Sequence, residues 1–398
     1  MNFLIRISVF GSLLLASLPA TAQVTTDGTT STTVNADGNN FEINDGDRAG
    51  GNLFHSFRDF SVRNGGEAFF NNANDIVNIF SRVTGGNISN IDGLLRANGG
   101  ANLFLINPAG IIFGNNARLD IGGSFYGTSA DSILFEDGEF SATDLDNPPL
   151  LTINAPIGLS FRDNPGDIVN RSNFGLTETV LDENFDPSLA GRAFTLQDSI
   201  GLQVNPSQSI NLIGGNVILE DAAGITAPGG RIELGGLSQA GVITFNIDGS
   251  LIFPEGVARG DVSLSGQSRV NVAAGGDGFI NVNARNLTVS EGSRLFGGIA
   301  ENMGSSEAQA GDLIINATDS INVVGSDSIA LVEFQTGIYN DVGDISIVRR
   351  RNNDPNLRSS AIGNGGSVLI NTENLQIDGQ ARIGTNSLGN GNAGNINI

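Results

Sequence analysis

Among its 398 residues the chain has no cysteine, no tryptophan and no lysine, and its one histidine is His55. Each absence removes a class of function. Without cysteine there is no disulfide framework, no thiolate nucleophile and no cysteine-built zinc site. With a single histidine there is no histidine cluster to hold a metal, and a Ser-His-Asp triad would have to use His55. Without tryptophan the usual Trp-Asp signature of a propeller blade is impossible. Beyond the N-terminus no stretch approaches the roughly 18 apolar residues that span a bilayer as a helix. Positive charge is scarce: 20 arginines face 42 acidic residues, a net charge of −22. Such a chain repels phosphate backbones and anionic membrane surfaces, which argues against nucleic acid as a partner.

What is present begins with a leader. Residues 1–6 are short and weakly basic, residues 7–18 are apolar apart from small residues, and Ala20-Thr21-Ala22 forms a small-x-small site before Gln23. This reads as a secretory signal peptide over residues 1–22. The rest holds 55 glycines and many short apolar runs. A disordered chain would lack so many Ile, Val, Leu and Phe residues, and a collagen would place glycine at every third position.

The strongest pattern is a repeat. Gly215, Gly230, Gly260, Gly278, Gly311, Gly343, Gly366 and Gly394 each open a short stretch of alternating apolar residues, as in Gly278-Phe279-Ile280-Asn281-Val282. Each predicts a turn followed by a strand of period two. In three units, second and third strands follow: Leu287 and Leu295 after Gly278, Ile321 and Ile329 after Gly311, Leu375 and Ile383 after Gly366. Three short strands per turn, with no helix between them, predict an all-β solenoid, a right-handed parallel β-helix of pectin-lyase-like architecture. No such rung buries its apolar face alone, so stacked neighbours build a continuous core. Residues 206–398 form the repeats, residues 146–205 read as irregular coils and loops, and Asn164-Pro165-Gly166 reads as a loop leaving the coil or as a soft boundary between two parts of one solenoid. The last residues open a new repeat with no polar cap, so the sequence predicts a truncated chain or the N-terminal piece of a longer protein.

The segment before residue 145 is rich in phenylalanine: Phe41, Phe54, Phe57, Phe60, Phe69, Phe70, Phe80, Phe104, Phe113 and Phe125. The expected role is stacked aromatic filling inside the first coils. The sharpest local motif is Asn107-Pro108-Ala109-Gly110-Ile111, which has the residues of a type I turn: Asn first, Pro to preset φ, Gly fourth. With it come Asn52-Leu53-Phe54-His55-Ser56-Phe57-Arg58-Asp59-Phe60, Ile76-Val77-Asn78-Ile79-Phe80-Ser81-Arg82-Val83-Thr84-Gly85 and Ile91-Asp92-Gly93-Leu94-Leu95.

In these stretches the chain resembles the N-terminal secretion domain of filamentous haemagglutinin-like exoproteins of two-partner secretion, in the form common in cyanobacteria. The family's earlier Asn-Pro-Asn-Leu element is missing, as is the cysteine pair of some members. The resemblance implies a secretion domain over residues 23–145, with Asn107, Pro108, Gly110 and Ile111 as the secretion motif and Asn52, Phe54, Phe57 and Phe60 in a supporting block. It implies general secretory export, then passage through an outer-membrane β-barrel transporter as partner, and folding rung by rung outside. The product is then secreted or held at the cell surface as an adhesin, meeting an unknown surface receptor or glycan. A chain without cysteine suits a route through a narrow pore.

The competing reading is a polysaccharide-active β-helix enzyme, or a structural component of the cell surface. Glycoside hydrolysis takes two facing carboxylates. Asp45 and Asp47, and Asp144 and Asp146, lie in turn-like stretches and read as solvated loop acids. Gly275-Gly276-Asp277-Gly278 partly resembles a calcium-binding nonapeptide, but such sites come in tandem copies. The sequence therefore predicts no catalytic residue, no metal and no cofactor.

Overall fold

The computed structural model describes residues 24–146, 150–173, 176–179, 193–196, 201–325, 335–343 and 359–398. The leader at residues 1–22, Ile329 and the strand expected after Gly343 lie outside the described residues. The chain winds as a parallel β-helix with three strand faces. The first face begins with Asn52–Phe60, Asn78–Val83, Asn102–Ile106 and Phe125–Thr128 and continues with Ser209–Gly214 and Arg231–Gly236. In one inward column stand Leu53, Ile79, Leu103, Phe125, Ile210, Ile232, Ile280, Leu313 and Val368. The second face aligns Ile111, Ile168, Val217, Val262, Leu287, Ile321 and Leu375. On the third face Leu202, Ile225, Val270, Leu295, Ile338 and Ile383 are in register.

Alternation makes this possible. Along Phe279–Ser290 every second side chain points into the coil, and the strand bends onto the second face at the register shift between Ala284 and Asn286. Inward residues of successive coils then merge into one core. Each fully buried Leu, Ile or Val contributes about 1.5–3 kcal/mol relative to exposure.

Two details differ from the expectation. The glycine-led units are not equivalent: Gly215 and Gly260 lead into the second face, whereas Gly230, Gly278, Gly311 and Gly366 lead into the first. The third-face position between Leu295 and Ile383 belongs to Ile338. The turn at Pro165-Gly166 is also no departing loop. It is the corner where the chain rejoins the coil before Ile168–Asn170.

The N-terminal edge is closed by antiparallel strands. Val24–Thr26 pairs with the end of Asn52–Phe60, Asp47–Ala49 pairs with its beginning, and Thr33–Asp37 covers Asn40–Asn44. An edge blocked this way offers no template for strand addition. A second sheet, antiparallel and outside the coil, has five described strands: Gly138–Ser141, Ser132–Phe135, Gly158–Phe161, Gly241–Phe245 and Leu251–Ile252. It lies over the first face and encloses a separate apolar core.

Candidate functional site

The predicted motif residues occupy the first three coils, so the site is built from that end. Asn107 follows the first-face strand Asn102–Ile106, and Ile111 begins the second-face strand Ile111–Phe113. The turn between them is the coil's corner. The Gly110 amide donates to the Asn107 carbonyl at 2.9 Å, closing the turn, and the Ala109 amide donates to Asn107 Oδ1 at 3.0 Å. Asn107 Nδ2 donates to the Asn87 carbonyl at 2.9 Å and to Ser89 Oγ at 2.8 Å, one coil earlier. On the other side the Gly166 amide donates to the Pro108 carbonyl at 3.1 Å. The motif is thus clamped between the corners of the coils before and after it. Asn107, Pro108 and Gly110 are buried, and Ile111 is wholly inside the coil.

The supporting block divides between two cores. Phe57 and Phe60 fill the coil interior, their rings 5.0 Å apart. Phe60 turns inward because the strand bulges: Thr25 pairs with Asp59 and Thr26 with Phe57. Phe54 faces outward, under the antiparallel sheet. It stacks on Phe80 at 5.1 Å, Phe80 meets Phe104 at 4.8 Å, and Phe104 lies flat on Tyr126 at 4.1 Å. The expectation that these phenylalanines fill the coil is therefore corrected for Phe54, Phe80 and Phe104. They form an external ladder that Phe135 and Phe140 cover edge-on. Asn52 heads a polar ladder: Asn78 Nδ2 donates to Asn52 Oδ1 and Asn102 Nδ2 to Asn78 Oδ1, both at 2.9 Å. Asn52 Nδ2 itself donates to the carbonyls of Thr152 and Asn154 at 2.9 Å, tying a distant segment to the first coil.

One group escaped the sequence reading. Arg82 is 1% exposed, although it sits on an outward position of Asn78–Val83. Its Nε donates to Ser56 Oγ at 2.7 Å, its Nη2 to Thr29 Oγ1 at 2.9 Å, and its Nη1 to the Ser141 carbonyl. Its guanidinium lies 4.7 Å over the Phe140 ring. Ser56 and Thr29 in turn donate to Asp27, at 2.6 and 2.8 Å, and Thr84 donates to it at 2.9 Å. Burial pushes the Asp27 carboxyl up, but these hydrogen bonds together outweigh burial and hold it below its ordinary value. The signal available in the sequence was an arginine flanked by Ile79, Phe80 and Val83 within the quoted block.

His55 is buried in the first coil, its Nδ1 3.0 Å from Thr32 Oγ1. Burial drives its pKa down to about 4 against the pull of Asp47 and Asp45, so the ring is neutral near pH 7. Asp45 accepts from Thr33 Oγ1 and Asp47 from the Ser31 amide, which pins the N-terminal cap. The Asp144 side chain accepts from the Asp146 amide in an exposed loop. Asp277 exchanges backbone hydrogen bonds with Gln309 and Gly311. Among the described residues no three His, Asp or Glu side chains gather to hold a metal. A groove of about 350 Å³ between Arg294, Tyr339, Ile377 and Arg382 has one described carboxylate, Asp341, where glycoside hydrolysis takes two.

A family model described as "TPS secretion domain" matches residues 22–253. The matched stretch ends one residue beyond the last strand of the antiparallel sheet, Leu251–Ile252. No curated protein matches. Among solved structures the chain is similar to the HMW1 secretion domain from Haemophilus influenzae. The identity is 16%, the match covers 94% of this chain and 98% of that one, and the TM-score is 0.36.

Proposed function

Because this chain belongs to the TPS (two-partner secretion) secretion domain family, we propose that its N-terminal coils engage an outer-membrane β-barrel transporter and direct its export. The observation that carries this reading is the family match over residues 22–253. The geometry supports it in one further respect. The residues singled out as secretion motif and block are built into the capped first coils, at the N-terminal end of the matched stretch. We read the secretion-directing unit, 23–145 in the sequence, as drawing in the sheet strands up to Leu251–Ile252, since these close the core that Ser132–Phe135 and Gly138–Ser141 open. General secretory export precedes this step, with residues 1–22 as the leader. The later coils serve as an extended scaffold for adhesion, secreted or held at the cell surface, with a surface receptor or glycan as ligand.

Deleting residues 23–145 tests the proposal. The expected outcome is normal leader cleavage with the product retained in the periplasm, read by fractionation in a host that carries the cognate transporter. Deleted protein reaching the medium at the wild-type level would overturn the reading.

A further inference from the structure

Glu233 lies on the first face, in Arg231–Gly236, and is 0% exposed. Its side chain points out of the coil, in the column that begins with Phe54, Phe80, Phe104 and Tyr126 and continues through Asn211, Glu233 and Asn281. The hairpin of Gly241–Phe245 and Leu251–Ile252, the edge of the antiparallel sheet, closes over it.

The two carboxyl oxygens have unequal surroundings. Oε1 accepts from Asn281 Nδ2 at 2.7 Å and stands 3.6 Å from Arg231 Nη1. Oε2 is buried without a donor, and so is Oδ1 of Asn211, its register partner one coil earlier. Acceptors buried without a side-chain donor are costly; these two stand in register on neighbouring strands, and the only hairpin group that hydrogen-bonds the carboxyl among the described residues is the Leu251 amide. A proton between them satisfies both at once, since a protonated carboxyl adds one O–H donor.

We propose that Glu233 is a neutral carboxylic acid in the folded protein, its Oε2–H donating to Asn211 Oδ1, and that this proton latches the 241–252 hairpin to the coil. Loss of the proton places a charge beneath the hairpin and loosens it. The charged groups that face Glu233 are Arg231 on its own strand, which also reaches Asp248 in the hairpin turn at 3.4 Å, and Asp248 itself. The Tyr126 hydroxyl faces it from the coil strand Phe125–Thr128 and stays protonated. Burial, the largest influence, raises the Glu233 pKa from 4.5 to about 7, with Asp248 acting in the same direction. Asn281, Arg231 and the Leu251 backbone pull the other way.

The sign of the linkage follows. The closed state binds the proton more tightly than the open state, so the latch is complete below pH 4.5, weakens as pH rises to about 7, and is level above that. The hairpin's opening equilibrium rises by up to about 300-fold over this range.

Infrared difference spectra of the full chain, wild type against Glu233→Gln, test the proton directly. At pH 6 the expected result is a carboxylic-acid C=O band in the wild type, absent from the variant and titrating near pH 7. Amide exchange of residues 241–252, corrected for intrinsic rates, is expected to speed up from pH 4.5 to 7 in the wild type and to stay flat in Glu233→Gln, whose amide keeps a donor for Asn211. Absence of the acid band at pH 6 would mean that the Asn211 amide is turned to donate to a carboxylate, and would overturn the proposal. An exchange step that persists in Glu233→Gln would overturn the latch. If that variant does not fold, the titration of the band in the wild type decides.

Discussion

Arg82 Nε donates to Ser56 Oγ at 2.7 Å, across 26 residues of sequence and one coil of structure. Ser56 passes the connection on to Asp27, and Thr29 makes a second path between the same two charges. The result is a closed ring joining the segment ahead of the first coil to the first two coils. Through the Ser141 carbonyl, the ring also reaches the antiparallel sheet. A buried charge is tolerated only when it is paired and fully hydrogen-bonded. Here the pairing is shared among three parts of the chain that meet only after folding.

Replacing Arg82 by alanine is therefore expected to destabilise the N-terminal coils by about 3–5 kcal/mol, because Ser56, Thr29 and the Ser141 carbonyl lose their donor and Asp27 loses the charge held opposite it through the two hydroxyls. Arg82→Lys is expected to recover only part of this, since an ammonium cannot serve Ser56, Thr29 and Ser141 in one plane as a guanidinium does. Limited proteolysis in residues 24–32, with thermal unfolding, reads the effect. Wild-type resistance in Arg82→Ala would show that the ring is dispensable.

The external aromatic ladder makes a different prediction. Phe80 is fully buried between Phe54 and Phe104, with Phe135 against it at 5.3 Å. Phe80→Ala is expected to cost about 3–5 kcal/mol. The loss should appear as early cleavage in residues 129–165 while the coil stays folded, because the ring lies outside it. Phe113→Ala, inside the coil, should instead loosen the coil strands around it. Amide exchange distinguishes the two, and identical exchange patterns would refute the separation of the cores.

This contrast also explains what the sequence could and could not tell. Period-two alternation made strands such as Phe279–Ser290 and the three-strand rung legible, because inward residues need only local order. The type I turn at Asn107 was equally local. Alternation, although these phenylalanines were expected together inside the coil, sets Phe54 and Phe57 on opposite sides of one strand. It could not say that the outer side is covered, since the cover comes from residues 132–161 and 241–252. For the same reason it could not say that the outward positions of Arg82 and Glu233 are covered. The turn signals Asp137-Gly138 and Asp248-Gly249 marked the hairpins of that cover, but a search for repeated rungs passes over an insertion that occurs once.

The secretion motif can be separated from a plain corner by comparing two glycines that are equally hard to replace. A Cβ on Gly110 would lie 2.7 Å from the Asp167 carbonyl oxygen, at a φ of +111° that side chains rarely adopt. A Cβ on Gly366 would lie 1.9 Å from the Gly311 carbonyl oxygen. Either alanine must displace the neighbouring coil, and in a solenoid such damage stays near its origin. If the first coils carry the information for export, Gly110→Ala lowers the secreted fraction several-fold while Gly366→Ala leaves it near wild type. Asn107→Ala should follow Gly110→Ala. It removes the donor that serves Asn87 and Ser89 and the acceptor for the Ala109 amide, at a cost of about 1–3 kcal/mol for a buried group left unpaired. The measurement is the ratio of protein in the medium to protein in the periplasm, with the cognate transporter expressed. Equal losses from Gly110→Ala and Gly366→Ala would reduce residues 107–111 to one corner among many.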